Sequence, residues 1–176
     1  MCLPNIYHME KTIIIYSSLT GNTKKAAESI CKIIGNNKNF FSVQEAENID
    51  LTQYEKVILG FWVDKGNMDS KIRKCLKGIK GKKVGFIGTL GAEPQSAHGK
   101  KVYEKAQLLC SKENEFLGGY LCLGEVAPKL IEMMKKFPLK LIHPYTEERK
   151  ARIEKANGHP NNEDFESIKK YFKDIL

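Results

Sequence analysis

The sequence lacks a long apolar run: none of its apolar stretches approaches the about 18 residues needed to cross a bilayer. Its first eleven residues also lack the apolar core of a secretory signal peptide. These two absences predict a cytoplasmic protein that does not associate with membranes. The length, 176 residues, predicts a single domain with a substantial hydrophobic core.

Cysteine occurs, but not in the patterns that bind metals or form disulfides. The five cysteines (Cys2, Cys31, Cys75, Cys110 and Cys122) are scattered, odd in number and never spaced CxxC. This argues against a disulfide framework and against a zinc site, and we predict no metal. Because free cysteine is usually buried, we expect the last four of them to be small apolar core residues.

Acidic residues are sparse in one basic segment of a chain whose net charge is +8. A basic face can bind nucleic acid, anionic lipid or an acidic protein, although for any single lysine a solvated surface is the simpler interpretation. The segment has no interleaved aromatic residues and no RNA-binding signature, so we do not predict nucleic-acid binding. Only Asp69 opposes its basic residues, which are Lys65, Lys71, Arg73, Lys74, Lys77, Lys80, Lys82 and Lys83.

Apolar runs alternate with helical patterns along the first three quarters of the chain. Five such runs predict strands: "TIIIY", a weaker edge-like "FFSVQEA", "KVILGFW", "KKVGFIGTLG" and "GGYLCLGEV". Strands separated by helices form βαβ units, which predict an α/β fold with a parallel sheet and helices on both faces. Ligands of such sheets bind at the carboxyl ends of the strands, so the loops that follow the strands are the candidate sites.

The C-terminal part of the chain has a different pattern. After a core of about residues 11–137 and a short connection from Pro138 to Pro144, we expect a helical extension over about residues 144–176. Its first helix should end at Gly158. Its last helix should pack on the sheet, because its apolar residues follow the 3.6 period: Phe165, Ile168, Tyr171, Phe172 and Ile175.

The first candidate loop is "YSSLTGNT", in which five of eight residues carry a hydroxyl. It joins a buried strand to a helix, and a helix N-terminus attracts anions through its unpaired N–H groups. Gly21 allows a close approach to the backbone. The pattern is neither a Walker loop nor GxGxxG, and it suits one terminal phosphate monoester. The alternative is an ordinary Ser/Thr-rich helix cap.

The motif "SLTGNT" resembles the phosphate loop of the flavodoxins, with the pattern T/S-x-T-G-N-T. The resemblance covers about residues 11–137 in element order. It implies a five-stranded sheet of order 2-1-3-4-5 that binds flavin mononucleotide (FMN). Leu19 stands where many flavodoxins have a hydroxyl. By position, the implied phosphate-binding residues are Ser17, Ser18, Leu19, Thr20, Gly21, Asn22 and Thr23.

The second loop, "GFWVDKGNMD", contains the only tryptophan. A flat ring at a ligand-binding edge can stack on another ring, although a Trp that is simply half-buried is the alternative. The "GNM" motif resembles the second flavin loop of the quinone reductases related to the tryptophan-repressor-binding protein, but the proline and arginine that precede it there are missing. The resemblance implies flavin contacts by Trp62, Val63, Lys65, Gly66, Asn67 and Met68.

The third loop is "GTLGAEPQSAHG". In the family, this loop covers the flavin ring, which implies contacts by Thr89, Leu90 and Gly91. His98-Gly99 resembles the His-Gly pair of the quinone reductases, so His98 would bind a flavin carbonyl or donate a proton. An exposed residue at the start of a helix is the alternative for His98.

These resemblances imply an electron-transfer flavoprotein that supplies a partner reductase. The alternatives are a small NAD(P)H-dependent quinone-type oxidoreductase and a non-redox accessory subunit. The basic segment predicts a redox partner with an acidic surface and a less negative reduction potential than in acidic flavodoxins. "GFWVDKG" and "ANGHPNNEDF" resemble a divergent subgroup that includes the BilS-type accessory proteins of bile-pigment reductases. That subgroup implies a partner acting on bilirubin or another tetrapyrrole.

Overall fold

The computed structural model describes residues 11–35, 39–135 and 146–176. The predicted connection from Pro138 to Pro144 lies outside these ranges, as do the last two residues of the predicted core, 136 and 137. The described strands are β1 (Thr12–Tyr16), β2 (Phe40–Ser42), β3 (Lys56–Asp64), β4 (Asn67–Met68), β5 (Lys83–Leu90) and β6 (Glu115–Leu123). The described helices are α1 (Asn22–Ile34), α2 (Ser70–Leu76), α3 (Ala97–Ser111), α4 (Pro128–Lys135), α5 (Glu147–Ala156) and α6 (Asn162–Lys173).

Five strands form a parallel sheet of order β2-β1-β3-β5-β6. Since β4 is an addition to this sheet, the order confirms the predicted 2-1-3-4-5 arrangement of the parallel strands. The short strand β4 was not predicted. It pairs antiparallel with the end of β3 through a turn in which Lys65 and Gly66 both have positive φ. Two paired residues are too few to show a hydrophobic period, so nothing in the sequence indicated this hairpin.

The second predicted strand, "FFSVQEA", is shorter in the structure and lies at the edge of the sheet. It ends at Ser42, and a 3₁₀ turn over Glu45–Asn48 follows. The Glu45 carboxylate accepts a hydrogen bond from the backbone N–H of Ser42, 2.7 Å away. This local side-chain bond favours a turn over continued strand pairing.

Both faces of the sheet are buried, as the continuous apolar strands predict. Along β1, Ile13 and Ile15 belong to one hydrophobic cluster and Ile14 to the other. The first cluster includes Ile72 of α2 and the inward side of α3, and the second joins α1 to α6. No helix in the described ranges is long and apolar enough to cross a membrane.

The last helix packs on the sheet as expected. Asn161 caps α6, and the Asp164 carboxylate accepts a hydrogen bond from the backbone N–H of Asn161, which completes a capping box. Ile168 and Phe172 are fully buried, and Tyr171 accepts a hydrogen bond from the N–H of Gly119 in β6. Because α6 shares a cluster with α1, we propose that the core and the C-terminal extension fold as one unit.

Most of the described cysteines are core residues, as predicted. Cys31, Cys110 and Cys122 are buried, whereas Cys75 is only partly buried. Burial raises the pKa of Cys31 and Cys75 to about 11 and that of Cys110 to about 12. These thiols therefore stay protonated in the folded protein at neutral pH.

The buried thiol of Cys110 predicts a loss of stability at alkaline pH. Burial raises the pKa of this thiol to about 12 in the folded protein, so the unfolded chain loses the thiol proton at a lower pH than the folded protein does. The free energy of unfolding is therefore highest below the unfolded pKa and falls as the pH rises towards 12. Urea unfolding between pH 8 and 11 should show a shallower pH dependence for Cys110→Ala than for the wild type. Above pH 9 the slopes should differ by about 1.4 kcal/mol per pH unit. Equal slopes would contradict this prediction.

Candidate functional site

The candidate site lies at the carboxyl edge of the sheet, where four segments meet around a cleft of about 100 Å³. The segments are the loops after β1, β5 and β6 and the last residues of β3 and β5, so parallel pairing alone brings them together. The side chains and backbone that line the cleft are Leu19, Thr20, Asn22, Thr23, Trp62, Val63, Thr89, Leu90, Gly91, Gly124, Glu125, Val126, Ala127 and Leu130.

The N-terminus of α1 has no side-chain cap. Its N-cap residue is Gly21, in a left-handed conformation with φ of 93°, and the N–H of Gly21 donates to Ser18 Oγ at 3.1 Å. By contrast, side chains cap α2, α3, α5 and α6. A long helix that begins without a cap leaves backbone donors, and the positive end of its dipole, for an anion.

The residues predicted to bind phosphate lie on two sides of the α1 N-terminus. Leu19, Thr20, Asn22 and Thr23 line the cleft described above, whereas Ser17, Ser18 and Gly21 line a second, polar cleft of about 270 Å³. Lys24 and Lys71 also line this second cleft. The hydroxyl-rich loop is therefore accessible from two directions, one apolar and one cationic.

Two hydrogen bonds connect this loop to more distant parts of the sheet edge. Thr23 Oγ1 lies 2.8 Å from Thr89 Oγ1, and both residues are buried. Asn22 Nδ2 donates to the carbonyl oxygen of Glu125 at 3.0 Å. Neither Thr23 nor Asn22 is thus simply a free donor in the loop, because each also holds two walls of the cleft together.

The second loop divides between the cleft and the hairpin. Trp62 and Val63 line the cleft, but Lys65, Gly66, Asn67 and Met68 do not. Met68 is fully buried in the core, and its N–H donates to Asn67 Oδ1 at 2.8 Å. The hairpin turn at Lys65 and Gly66 is therefore the part of "KGNM" that projects from the sheet.

The third loop contributes Leu90 and Gly91 to the cleft, together with Thr89 at the end of β5. A Cβ atom built on Gly91 would lie 2.5 Å from Val126 Cγ2, so a larger residue at position 91 would displace Val126, which also lines the cleft. His98 is exposed and does not line the cleft. Its Cε1 lies 3.5 Å from the position that a Cβ of Gly66 would occupy, which places His98 beside the hairpin turn.

The sequence reasoning missed the fourth wall of the cleft, which the segment after β6 provides. Gly124, Glu125, Val126 and Ala127 line the cleft, as does Leu130 of α4. This segment follows the last parallel strand, so the rule that pointed to the other three loops applies to it equally. Its residues carry no binding motif, which is why it was not singled out.

Comparison with known proteins agrees with this geometry. The sequence matches the flavodoxin domain family over residues 13–173. The chain belongs to the flavodoxin domain family. Over 171 residues it is 34% identical to the flavodoxin-like domain-containing protein BilS of Clostridioides difficile (strain CD3), a match covering 94% of this chain and 96% of that protein.

Two further similarities are consistent with the family. The BilS protein of Clostridium symbiosum (strain WAL-14163) is 24% identical over 165 residues, which cover 85% of this chain and 84% of that protein. Together the two relatives confirm the predicted BilS-type subgroup. The crystal structure of oxidised Flavodoxin 2 from Bacillus cereus has a TM-score of 0.54 and 20% identity, covering 92% of this chain and 94% of that one. This structural likeness confirms the flavodoxin fold.

The basic segment of this protein is not one continuous surface. Lys82 lies at the opposite end of the sheet from the cleft, where its Nζ donates to the carbonyl oxygen of Tyr54 at 2.7 Å. Lys80 pairs with Glu113 at 2.8 Å. Lys65 projects at the hairpin turn, and Lys71 lines the second cleft. Only part of the predicted basic face is therefore near the candidate cofactor site.

The buried pair of Thr23 and Thr89 predicts a non-additive double mutant. Thr89→Val leaves the Thr23 hydroxyl buried without its partner, which should lower the free energy of unfolding by about 1–3 kcal/mol. Adding Thr23→Val should cost little more, since the double mutant has no unpaired hydroxyl. Urea unfolding without any ligand measures the free energy of unfolding of the wild type, the two single mutants and the double mutant. Additive losses would mean that the two hydroxyls are not coupled.

Proposed function

We propose that this flavodoxin binds FMN at the carboxyl edge of the sheet and carries electrons to a partner reductase. The observation that carries the proposal is the uncapped N-terminus of α1, next to a cleft that contains Trp62. A phosphate would satisfy the exposed amides of the helix, and an aromatic ring system would find apolar walls beside it. Membership of the flavodoxin family supports the same assignment.

The donor set of the loop fits a phosphate monoester. Ser18 accepts from the N–H of Gly21, so its own hydroxyl proton remains available to an anion. Thr20 is exposed at the mouth of the cleft, and Lys24 adds positive charge on the other side of the loop. The space around Gly21 is open, since a Cβ built there would meet no atom within 4 Å. An anion can therefore approach the backbone closely.

The cleft fits a cofactor that is only partly enclosed. Its volume of about 100 Å³ is smaller than the roughly 300 Å³ at which enclosed ligand pockets begin. Leu19 and Leu130 at its border are 64% and 40% exposed. A ring held between Trp62 and the loop after β5 would thus keep an edge in contact with solvent. Bound FMN would supply the redox chemistry, and an exposed edge suits electron transfer between proteins.

The first experiment is an absorption spectrum of the purified protein, followed by mass analysis of whatever heat releases. We expect the absorption of a flavin and the mass of FMN. A protein that stays colourless after incubation with FMN would overturn the proposal and favour the accessory-subunit alternative.

The phosphate contacts predict selectivity for FMN over riboflavin. Ser18→Ala and Thr20→Ala should each weaken FMN binding about tenfold or more, since a hydrogen bond to a charged group contributes about 1.5–3 kcal/mol. Riboflavin has no phosphate, so its affinity should hardly change. Titration of the apoprotein with each flavin, followed by fluorescence quenching, measures both constants. Ser111→Ala, at the far end of α3, is the control. Equal losses for the two flavins would place the hydroxyls away from the phosphate.

The hairpin turn predicts a charge effect on the reduction potential. Lys65 is exposed in the turn after β3, and a nearby positive charge favours the negative charge that a flavin gains on reduction. We therefore propose a less negative potential than in acidic flavodoxins. Lys65→Glu should make the potential more negative in a potentiometric titration at low salt. Lys32→Glu, on α1, should leave it nearly unchanged. Equal shifts in both variants would show that only net charge matters.

One contact favours a second function, the NAD(P)H-dependent quinone-type reductase. His98 lies beside Gly66, so it is near the loop that the resemblance assigns to the flavin. However, His98 is exposed and outside the cleft, which makes it a weak candidate for proton donation. Steady-state oxidation of NADH or NADPH by the purified protein alone, lost in His98→Ala, would support this function over electron carriage.

The most specific part of the proposal is the identity of the electron acceptor. Similarity to the BilS proteins supports a partner reductase, and the BilS-type resemblance suggests one that acts on bilirubin or another tetrapyrrole. Reduced protein should then increase the rate at which such a reductase consumes the tetrapyrrole. No increase over a matched concentration of free reduced FMN would remove this part of the proposal and leave the flavin site intact.

A further inference from the structure

A groove of about 470 Å³ lies on the side of the sheet covered by α2 and α3, away from the α1 and α6 layer. Its apolar part consists of Leu76, Ile79 and Leu109. Leu76 and Ile79 are buried in the first cluster, so they form a floor, whereas Leu109 is half-buried. Basic residues dominate the rest of the lining, which comprises Arg73, Lys74, Lys77, Lys112, Glu113, Asn114 and Ser70.

The positive charges of this groove are poorly neutralised by the protein itself. Its one lining carboxylate, Glu113, already pairs with Lys80. Within residues 11–35, 39–135 and 146–176, the side chains of Lys74 and Lys77 make no hydrogen bond or ion pair with another residue. Four cations around an apolar floor are complementary to a ligand with carboxylates around apolar groups.

The surface of α3 extends this groove towards the candidate redox site. Lys101, Lys105, Leu108 and Lys112 are exposed and lie on one face of the helix by their spacing. Leu108 is 71% exposed, an unusual fraction for a leucine on a helix. Lys105 Nζ donates to the carbonyl oxygen of Gly66 in the hairpin turn, and Lys112 lies about 10 Å further along the helix axis.

We propose that the groove and this face of α3 form the docking surface for the partner, and that the occupant is an acidic amphipathic helix of the partner protein. Apolar side chains on one side of that helix would fill the floor, and its carboxylates would face the lysines. The groove lies near Asn114, towards the end of the sheet opposite the cleft, where Asn114 accepts a hydrogen bond from the N–H of Lys82. The face of α3 runs from there to Lys105 at the hairpin turn, so only the part of a docked partner that contacts Lys105 would lie beside the proposed flavin site. The proposal thus rests in part on the proposed function, since it assigns the docking surface of the same electron carrier.

The experiment uses the full-length protein and a synthetic peptide as the probe. The peptide repeats the heptad Glu-Leu-Glu-Glu-Leu-Leu-Glu and carries a fluorophore, and a matched peptide has Gln at every Glu position. Fluorescence anisotropy should show binding of the Glu peptide that weakens as NaCl rises, because salt screens the lysines. The Gln peptide should bind at least about tenfold more weakly.

Charge reversals then locate the binding surface. Lys77→Glu/Lys112→Glu should weaken binding of the Glu peptide about tenfold or more. Lys32→Glu/Lys170→Glu makes the same change in net charge on α1 and α6, on the other side of the sheet, and should weaken binding less than about twofold. Leu108→Ala should also weaken binding, since it removes apolar contact area while keeping every charge.

The outcomes are distinct. Equal weakening by the two charge reversals, or no binding of the Glu peptide, would overturn the docking proposal. FMN binding is measured on the same samples. Loss of peptide binding in Lys77→Glu/Lys112→Glu with full flavin content would support the docking surface independently of the cofactor. Peptide binding to the groove of a protein that takes up no flavin would overturn the proposed function and leave the groove as a docking surface.

Discussion

The candidate site depends on the parallel pairing of β1, β3 and β5. Tyr16, the last residue of β1, pairs with Gly60 in β3, and Trp62 further along β3 pairs with Thr89 in β5. A Cβ built on Gly60 would lie 2.8 Å from Tyr16 Cβ, so a side chain at that position would push the two strands apart. This register places the ends of the strands at one edge, and the loops that follow them therefore surround one cleft.

Much of this arrangement was predictable because it depends on local sequence. Strands that are buried on both faces appear in the sequence as continuous runs of apolar residues. Helix α1 appears as a helical period of apolar residues that ends at Gly35. The hydroxyl-rich loop was predictable for the same reason, since its residues are adjacent in the sequence. The sheet order followed from the resemblance to flavodoxins, because strand order is not encoded in any single run.

The parts that could not be predicted depend on contacts between distant residues. The bond between Thr23 and Thr89 joins residues 66 positions apart, and that between Asn22 and Glu125 joins residues 103 positions apart. The sequence gives no local pattern for either bond. The hairpin at Lys65 and Gly66 was missed because a two-residue strand has no period. The division of the hydroxyl-rich loop between two clefts also depends on distant residues that line them, so it became visible only in three dimensions.

The C-terminal extension is connected to the candidate site through backbone hydrogen bonds. The N–H of Glu125 donates to the carbonyl oxygen of His159 at 2.8 Å, while the carbonyl oxygen of Glu125 accepts from Asn22. A single residue thus connects the turn before α6 to the start of α1. Lys155 of α5 also contacts the carboxylate of Glu93 in the loop after β5.

These contacts mean that the extension supports two walls of the cleft from outside. The His159 ring reinforces the connection, since its Nδ1 lies 2.6 Å from the Asp164 carboxylate that completes the cap of α6. Packing of α6 on α1 therefore fixes the turn at His159, which precedes α6. This turn holds the backbone of Glu125, whose carbonyl oxygen binds the side chain of Asn22. The geometry of the hydroxyl-rich loop depends in this way on the last thirty or so residues of the chain, although none of them lines the cleft.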